Sequence, residues 1–317
     1  MRLLNPKQIW AVGGGKGGVG KSFITGNLGA MLAQRGYRVV LVDMDLGGAN
    51  LHTWLGVNNP DRGVSEFVGH FVENVDQLLI PTGINNLSLI SGARDGMEIA
   101  NLKHTQKLRF LRALQRLEAD CVLLDLGAGT AYNTIDFFLL ADTHLLIVVP
   151  EPTSIENAYR FIKNSFYRKL RSDSSEQGFR NAVEQLLLLN NPQGIRTPKD
   201  LINYMRRQGG ELGRFIERQV EEFQPKLILN QVRSAQDMRI GSAMESACFK
   251  YFGIRLKFLG HIEHEDAVWH SVLQRRPLVM DQPNSGISKR LSVICSAILQ
   301  QRSQRPRTVE HTLAGEP

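Results

Sequence analysis

Ten residues, Gly13-Gly14-Gly15-Lys16-Gly17-Gly18-Val19-Gly20-Lys21-Ser22, constrain this chain more than any other stretch. From Gly15 onward they satisfy G-x-x-x-x-G-K-[ST], in which backbone N–H groups curl around phosphate and a lysine and a hydroxyl complete the grip. The flanks agree. Ile9-Trp10-Ala11-Val12 is an apolar run suited to a buried strand. Phe23 to Arg35 places Ile24, Leu28, Met31 and Leu32 at helical spacing, and Gly36 stops it. A strand, a glycine loop and a helix in that order set a helix N-terminus against an anion. The phosphate-binding set read here is Gly15, Gly17, Gly18, Val19, Gly20, Lys21, Ser22 and Phe23. Lys21 would reach the β- and γ-phosphates and Ser22 would ligate Mg2+. Lys16 lies outside the ordinary pattern, and a second cation there fits a nucleotide site completed by another chain.

The rest of the chain repeats the alternation. Strands are expected at Tyr37 to Asp43, Leu87 to Ser91, Cys121 to Asp125, Thr143 to Val149, Leu227 to Asn230 and Leu256 to Leu259, with a helix over Leu102 to Leu117. Buried strands separated by helices predict a mostly parallel twisted sheet of seven to eight strands, covered by helices on both faces. Ligands on such a sheet bind beyond the carboxyl ends of the strands. Asp43, Asp45, Asp125, Pro150 and Asn230 all fall there, as the glycine loop does.

Composition narrows the class. With 317 residues, 42% of them hydrophobic, the chain can bury a large core. No stretch approaches the ~20 apolar residues of a membrane span, and Met-Arg-Leu-Leu-Asn-Pro is too short and polar for a signal peptide. Cys121, Cys248 and Cys295 are odd in number and far apart, so neither a disulfide framework nor a C-x-x-C metal site is indicated. Buried thiols in a reducing cytoplasm are the expected state. The net charge of +7 permits nucleic acid or anionic lipid as a partner, but the basic residues lie in helices that also carry acids, which reads as a solvated surface.

The carboxylates divide the labour of a phosphate site. Asp125 follows four apolar residues, the pattern in which a strand-ending acid holds Mg2+ directly or through water. Asp43 and Asp45, two apart at a strand end, can both face the phosphates, with Asp45 placed to orient the attacking water. Gly47-Gly48 and Gly127-Ala128-Gly129 supply loops able to order with a triphosphate.

These motifs resemble the MinD/ParA family of deviant Walker A ATPases. The loop Gly15 to Ser22, the first switch segment Asp43 to Leu51, the Walker B and second switch segment Asp125 to Thr130, Pro150 to Tyr159 and Leu229 to Arg233 all match it. Glu151-Pro152-Thr153-Ser154-Ile155 is most similar to the FlhG/FleN branch, MinD-like regulators of flagellar number and placement. The resemblance implies ATP with Mg2+ as cofactors, hydrolysis to ADP and phosphate, and an ATP-dependent homodimer in which Lys16 reaches the partner's phosphates. It implies Lys16, Lys21 and Asp45 as catalytic residues, and Ser22, Asp43 and Asp125 around the metal. Asn230 would read adenine with Arg233 beside the base. It further implies a protein partner in the flagellar or polar machinery.

Residues 1–168 and 225–300 are expected to form the ATPase domain, 169–224 a helical insertion, and 301–317 a disordered tail. Gly127 stands where the family often has proline, which is expected to loosen the second switch. In the insertion, Thr197-Pro198 reads as a helix start, and Leu201, Ile202, Met205, Phe215, Ile216 and Val220 recur at helical spacing. That pair either packs on the domain or offers a docking platform. Ile287, Leu291, Ile294 and Ile298 likewise mark a helix that either joins the core or makes peripheral contact with the inner face of the cell membrane. No N-terminal motif for stimulating a partner GTPase is evident in residues 1–8. His261, His264 and His270 read as polar surface rather than a metal site, and Trp10, Trp54 and Trp269 as core or interface fillers. Two rival functions stand: a ParA-type partition ATPase binding DNA, and an iron–sulfur carrier, which would need cysteine ligands that these three positions do not supply.

Overall fold

The computed structural model describes residues 7–45, 48–58, 60–92, 103–173, 183–186 and 192–300. Its strands are β1 (Gln8–Gly13), β2 (Val39–Met44), β3 (Ile80–Pro81), β4 (Leu87–Ile90), β5 (Cys121–Leu126), β6 (Thr143–Val148), β7 (Lys226–Val232) and β8 (Lys257–Glu263). They form one sheet in the order β3-β4-β2-β5-β1-β6-β7-β8. Every ladder is parallel except that between β3 and β4.

The apolar runs are continuous because both faces are covered. β1, β2 and β5 are buried from end to end. Alternate side chains enter two different cores. Ile9, Ala11, Val40, Val42, Val122 and Leu124 join one core with Phe110, Phe137, Phe161 and Phe166 from the helices. Trp10, Val12, Val39, Leu41, Cys121 and Leu123 join the other with Ile24, Leu28 and Leu32. Burying each such side chain contributes about 1.5–3 kcal/mol, so the sheet register is tightly specified.

The helix Lys21–Gln34 is buried along most of its length, packed on β2 and β5 and beside the C-terminal helix Gly286–Gln300, which itself packs on β8. That terminal helix directs Ile287, Leu291, Ile294, Cys295 and Ile298 into the second core, each at most 2% exposed. The amphipathic stripe is therefore occupied by the sheet. The helices Pro198–Gln208 and Gly210–Glu222 also pack inward. Leu201, Ile202, Met205, Phe215, Ile216 and Val220 are all in the first core. Thr197 caps the first of these helices, accepting a bond from the Asp200 N–H at 3.1 Å, with Pro198 next in the chain. The expected tail 301–317, residues 1–6 and Gly47 lie outside the described residues. Trp10 is fully buried and Trp54 partly so, whereas Trp269 is 60% exposed, so it is a surface residue and not a core filler. The short antiparallel β3 was not expected from the sequence.

Candidate functional site

The carboxyl ends of β1, β2, β5 and β7 converge because the sheet is parallel and β1 lies at its centre. β1 runs into the glycine loop, and the helix Lys21–Gln34 opens at Gly20 with a left-handed backbone, φ 92°. A Cβ at Gly20 would lie 2.2 Å from Asn230 Nδ2, and one at Gly15 would lie 2.5 Å from the Asn157 backbone. Neither position admits a side chain, so the glycines serve close approach as well as curvature. Lys21 is 8% exposed, and the Gly129 N–H donates to the Gly14 carbonyl at 3.1 Å, tying the loop to the segment after β5.

Behind the loop lie two buried carboxylates, Asp43 at 1% and Asp125 at 2% exposure, which are register partners on β2 and β5. Thr25 Oγ1 donates to Asp125 Oδ1 at 3.1 Å, and Ser22 lies beside the same carboxylate. Asp43 accepts the Asp45 N–H at 3.1 Å and the Leu51 N–H at 2.9 Å. Burial, and then the charge of Asp125, push the Asp43 carboxyl above its ordinary value. Burial raises Asp125 as well, against the opposing hydrogen bond of Ser22 and the charge of Lys21. A buried acid pair held this way favours a bound cation, and its oxygen donors suit a hard divalent ion. Asp45 stands at the rim beside Gly127, whose Cβ, if present, would lie 3.3 Å from Asp45 Oδ1.

Lys16 lies on the exposed outer turn of the loop. Its Nζ is 2.6 Å from Glu151 Oε2 and 3.5 Å from Thr153 Oγ1, at the start of the helix Pro152–Asp173. Both partners of the ion pair are half exposed, so it contributes about 0–1 kcal/mol and is readily exchanged for another anion. Asn230 Nδ2 donates to the Val19 carbonyl at 2.9 Å, and Gln231 Nε2 to the Gly18 carbonyl at 3.1 Å. Arg233 lies further along, with Nη2 3.5 Å from His264 Nε2. Phe23 is buried, its ring edge-on to Trp54 at 5.7 Å.

Lys16, Lys21, Ser22, Asp43, Asp45, Asp125 and Asn230 thus share one end of the sheet. Sequence reading missed Thr25, Gln231 and the Glu151 contact. Thr25 stands four residues after Lys21 on one helix, a spacing that could have revealed it. The Glu151 contact spans 135 positions and leaves no local signal. Among the described residues no group of three or more His, Cys, Asp or Glu is placed to hold a metal by itself. All three cysteines are buried and unbridged.

The model of the CobQ/CobB/MinD/ParA nucleotide binding domain matches residues 10–278. The chain belongs to this family. Among similar proteins, antiactivator FleN of Pseudomonas aeruginosa is 35% identical over 164 residues, covering 51% of this chain and 58% of FleN. The flagellum site-determining protein YlxH of Helicobacter pylori is 33% identical over 177 residues, again 51% of this chain and 58% of YlxH. The match therefore spans little more than half the length of these relatives. Septum site-determining MinD of Pyrococcus horikoshii, solved as a complex with Mg-ADP, superposes with a TM-score of 0.65 at 17% identity, over 95% of this chain and all of that one. Pyrococcus furiosus MinD gives 0.63 at 21% identity, over 93% and 99%. The superpositions establish the fold: this CobQ/CobB/MinD/ParA domain has the MinD sheet and its two covering layers. No helix among the described residues is long and apolar enough to cross a membrane.

Proposed function

We propose that this CobQ/CobB/MinD/ParA domain is an ATPase that works as an ATP-dependent dimerisation switch. Its output would be spatial or numerical control of flagella or another polar machine, through a protein partner. The observation that carries the reading is the division between two lysines. Lys21 is buried beside the carboxylates, whereas Lys16 is exposed on the same loop in an ion pair cheap to break. One lysine serves the chain's own nucleotide and the other is free to serve a second copy's. The flagellar assignment is supported by the likeness to FleN and YlxH.

In this reading the loop N–H groups and Lys21 would bind and orient the phosphates, and Ser22 and Asp125, with Asp43 behind them, would hold Mg2+. The metal supplies charge neutralisation on the transferred phosphoryl group. Asp45 would accept a hydrogen bond from a water at the rim and align it for attack. Asn230 supports the loop through Val19 and stands ready to face the base. Hydrolysis of this kind needs positioning and charge stabilisation more than covalent chemistry, so an incomplete electrostatic shell in the monomer means slow turnover. Residues 1–168 and 225–300 would form the ATPase domain, with 169–224 as an inserted helical layer.

Light scattering with and without ATP, alongside phosphate release, tests the switch. Lys16→Ala is expected to abolish the gain in hydrolysis on dimerisation, while Asp45→Ala accumulates the ATP dimer. Wild-type turnover by Lys16→Ala would sink the proposal. A gel shift of DNA dependent on ATP and lost steeply as salt rises would instead favour the partition reading.

A further inference from the structure

Arg275 occupies a position that its backbone would assign to glycine. The helix Asp266–Leu273 ends in a paired turn in which the Arg275 N–H donates to Val272 O at 3.0 Å and the Arg276 N–H to Ser271 O at 3.2 Å. The residue in the middle of such a turn is left-handed, and Arg275 has φ 54°. Glycine adopts that conformation freely and is the usual choice there, whereas any side chain with a Cβ is disfavoured. An arginine kept at this place needs a task for its side chain. All three of its guanidinium nitrogens have one: Nε donates to Thr53 O at 3.2 Å, Nη1 to Asn58 Oδ1 at 2.9 Å and Nη2 to Val57 O at 3.1 Å.

The segment so gripped leads to the site. The helix Leu51–Trp54 begins with the N–H that bonds Asp43 Oδ2, and ends with the Trp54 ring that packs on Phe23 of the loop helix. Asp43 in turn accepts the Asp45 N–H through its other oxygen. We infer that Arg275 is a positioning residue for phosphate chemistry. Its guanidinium clamps residues 53–58 and so fixes Leu51 against Asp43, and through Asp43 the backbone of Asp45. A planar fork that meets three acceptors at once is a task for arginine and not for lysine. The inference rests on reading Asp43 and Asp45 as part of the Mg-ATP site.

Arg275→Gly provides a clean test, because it removes the clamp while relieving the backbone. A residue that only stabilised the helix end would be replaced by glycine without loss. For a clamp, thermal unfolding of Arg275→Gly should be no lower than wild type, and exchange of the Leu51 and Trp54 amides should quicken about tenfold. The turnover number should fall about tenfold while KM for ATP stays within about twofold. Arg275→Lys should not restore either readout. Unchanged amide exchange, unchanged turnover, or a collapse of the thermal transition in Arg275→Gly would each overturn the inference. The exchange arm needs no hydrolysis. A wild-type chain that fails to hydrolyse ATP would thus refute the ATPase reading, while the clamp is still measured.

Discussion

A Cβ at position 127 would stand 3.3 Å from Asp45 Oδ1, tighter than ordinary van der Waals contact, and 3.5 Å from its Cγ. The family often carries proline there, and the sequence alone suggests only a looser second switch. The structure assigns the glycine a spatial role, since it leaves room for the carboxylate at the rim. If Asp45 aligns the hydrolytic water, Gly127→Ala should displace it by a few tenths of an ångström and lower turnover by about tenfold. Nucleotide affinity should stay within about twofold of wild type, because no phosphate contact is touched. Steady-state phosphate release together with titration of a fluorescent ADP separates the two effects. Equal loss in both would show that residue 127 supports the loop rather than Asp45. The same residue marks the reach of sequence reading. Spacing could place Asp43, Asp45 and Asp125 at strand ends, but what lies beside each of them depends on which strands are neighbours.

At the scale of elements, three helices on the first core's side are joined by an ionic cluster. Asp136 in the helix Tyr132–Leu140 meets Lys107 at 2.6 Å and Arg168 at 2.8 Å, from helices His104–Arg116 and Pro152–Asp173. The Lys107 and Asp136 side chains are 5% and 7% exposed. Burial by itself would raise the Asp136 carboxyl, but the hydrogen bonds and charges of Arg168 and Lys107 outweigh it and hold it below the ordinary range. Its folded value is therefore lower than its unfolded one. The stabilisation is present above the unfolded value near pH 4 and is lost as pH falls through the folded value. Asp136→Asn leaves Lys107 buried without its anion, and should destabilise the fold by about 3–5 kcal/mol at neutral pH. In acid titrations the wild type should lose stability below about pH 4 more steeply than the mutant. Parallel acid profiles of the two proteins would deny the cluster its role. The elements that carry these charges were partly legible. Continuous apolar runs identify buried parallel strands well, and β1, β2, β5 and β6 lie where the runs do, with an acid near the end of β2 and β5 only. β3 escaped because two residues at a sheet edge have no periodicity, and one of them is Pro81. The stripe on Gly286–Gln300 showed an amphipathic helix, but a stripe alone does not say whether a sheet or a lipid surface covers it.

At the scale of the whole molecule, the two lysines make a prediction that no single variant can test. Suppose Lys16 acts on the partner's phosphates while Asp45 acts on its own chain's nucleotide. A dimer of one Lys16→Ala copy and one Asp45→Ala copy then contains one complete site. The Lys16→Ala copy retains Asp45 and receives Lys16 from its partner; the other site lacks both. Mixing the two inactive variants in equal amounts before ATP is added should give half mixed dimers, each with one working site of two. Turnover should recover to about a quarter of wild type. The order of addition matters, because Asp45→Ala dimers trapped with ATP would exchange slowly. If both residues act within one chain, each copy lacks an essential group and the mixture stays as inactive as its parts. Phosphate release across a series of mixing ratios should peak at equal proportions, the shape expected when activity follows the product of the two concentrations. A flat baseline would place Lys16 in the service of its own nucleotide and leave its pairing with Glu151 as a local surface contact.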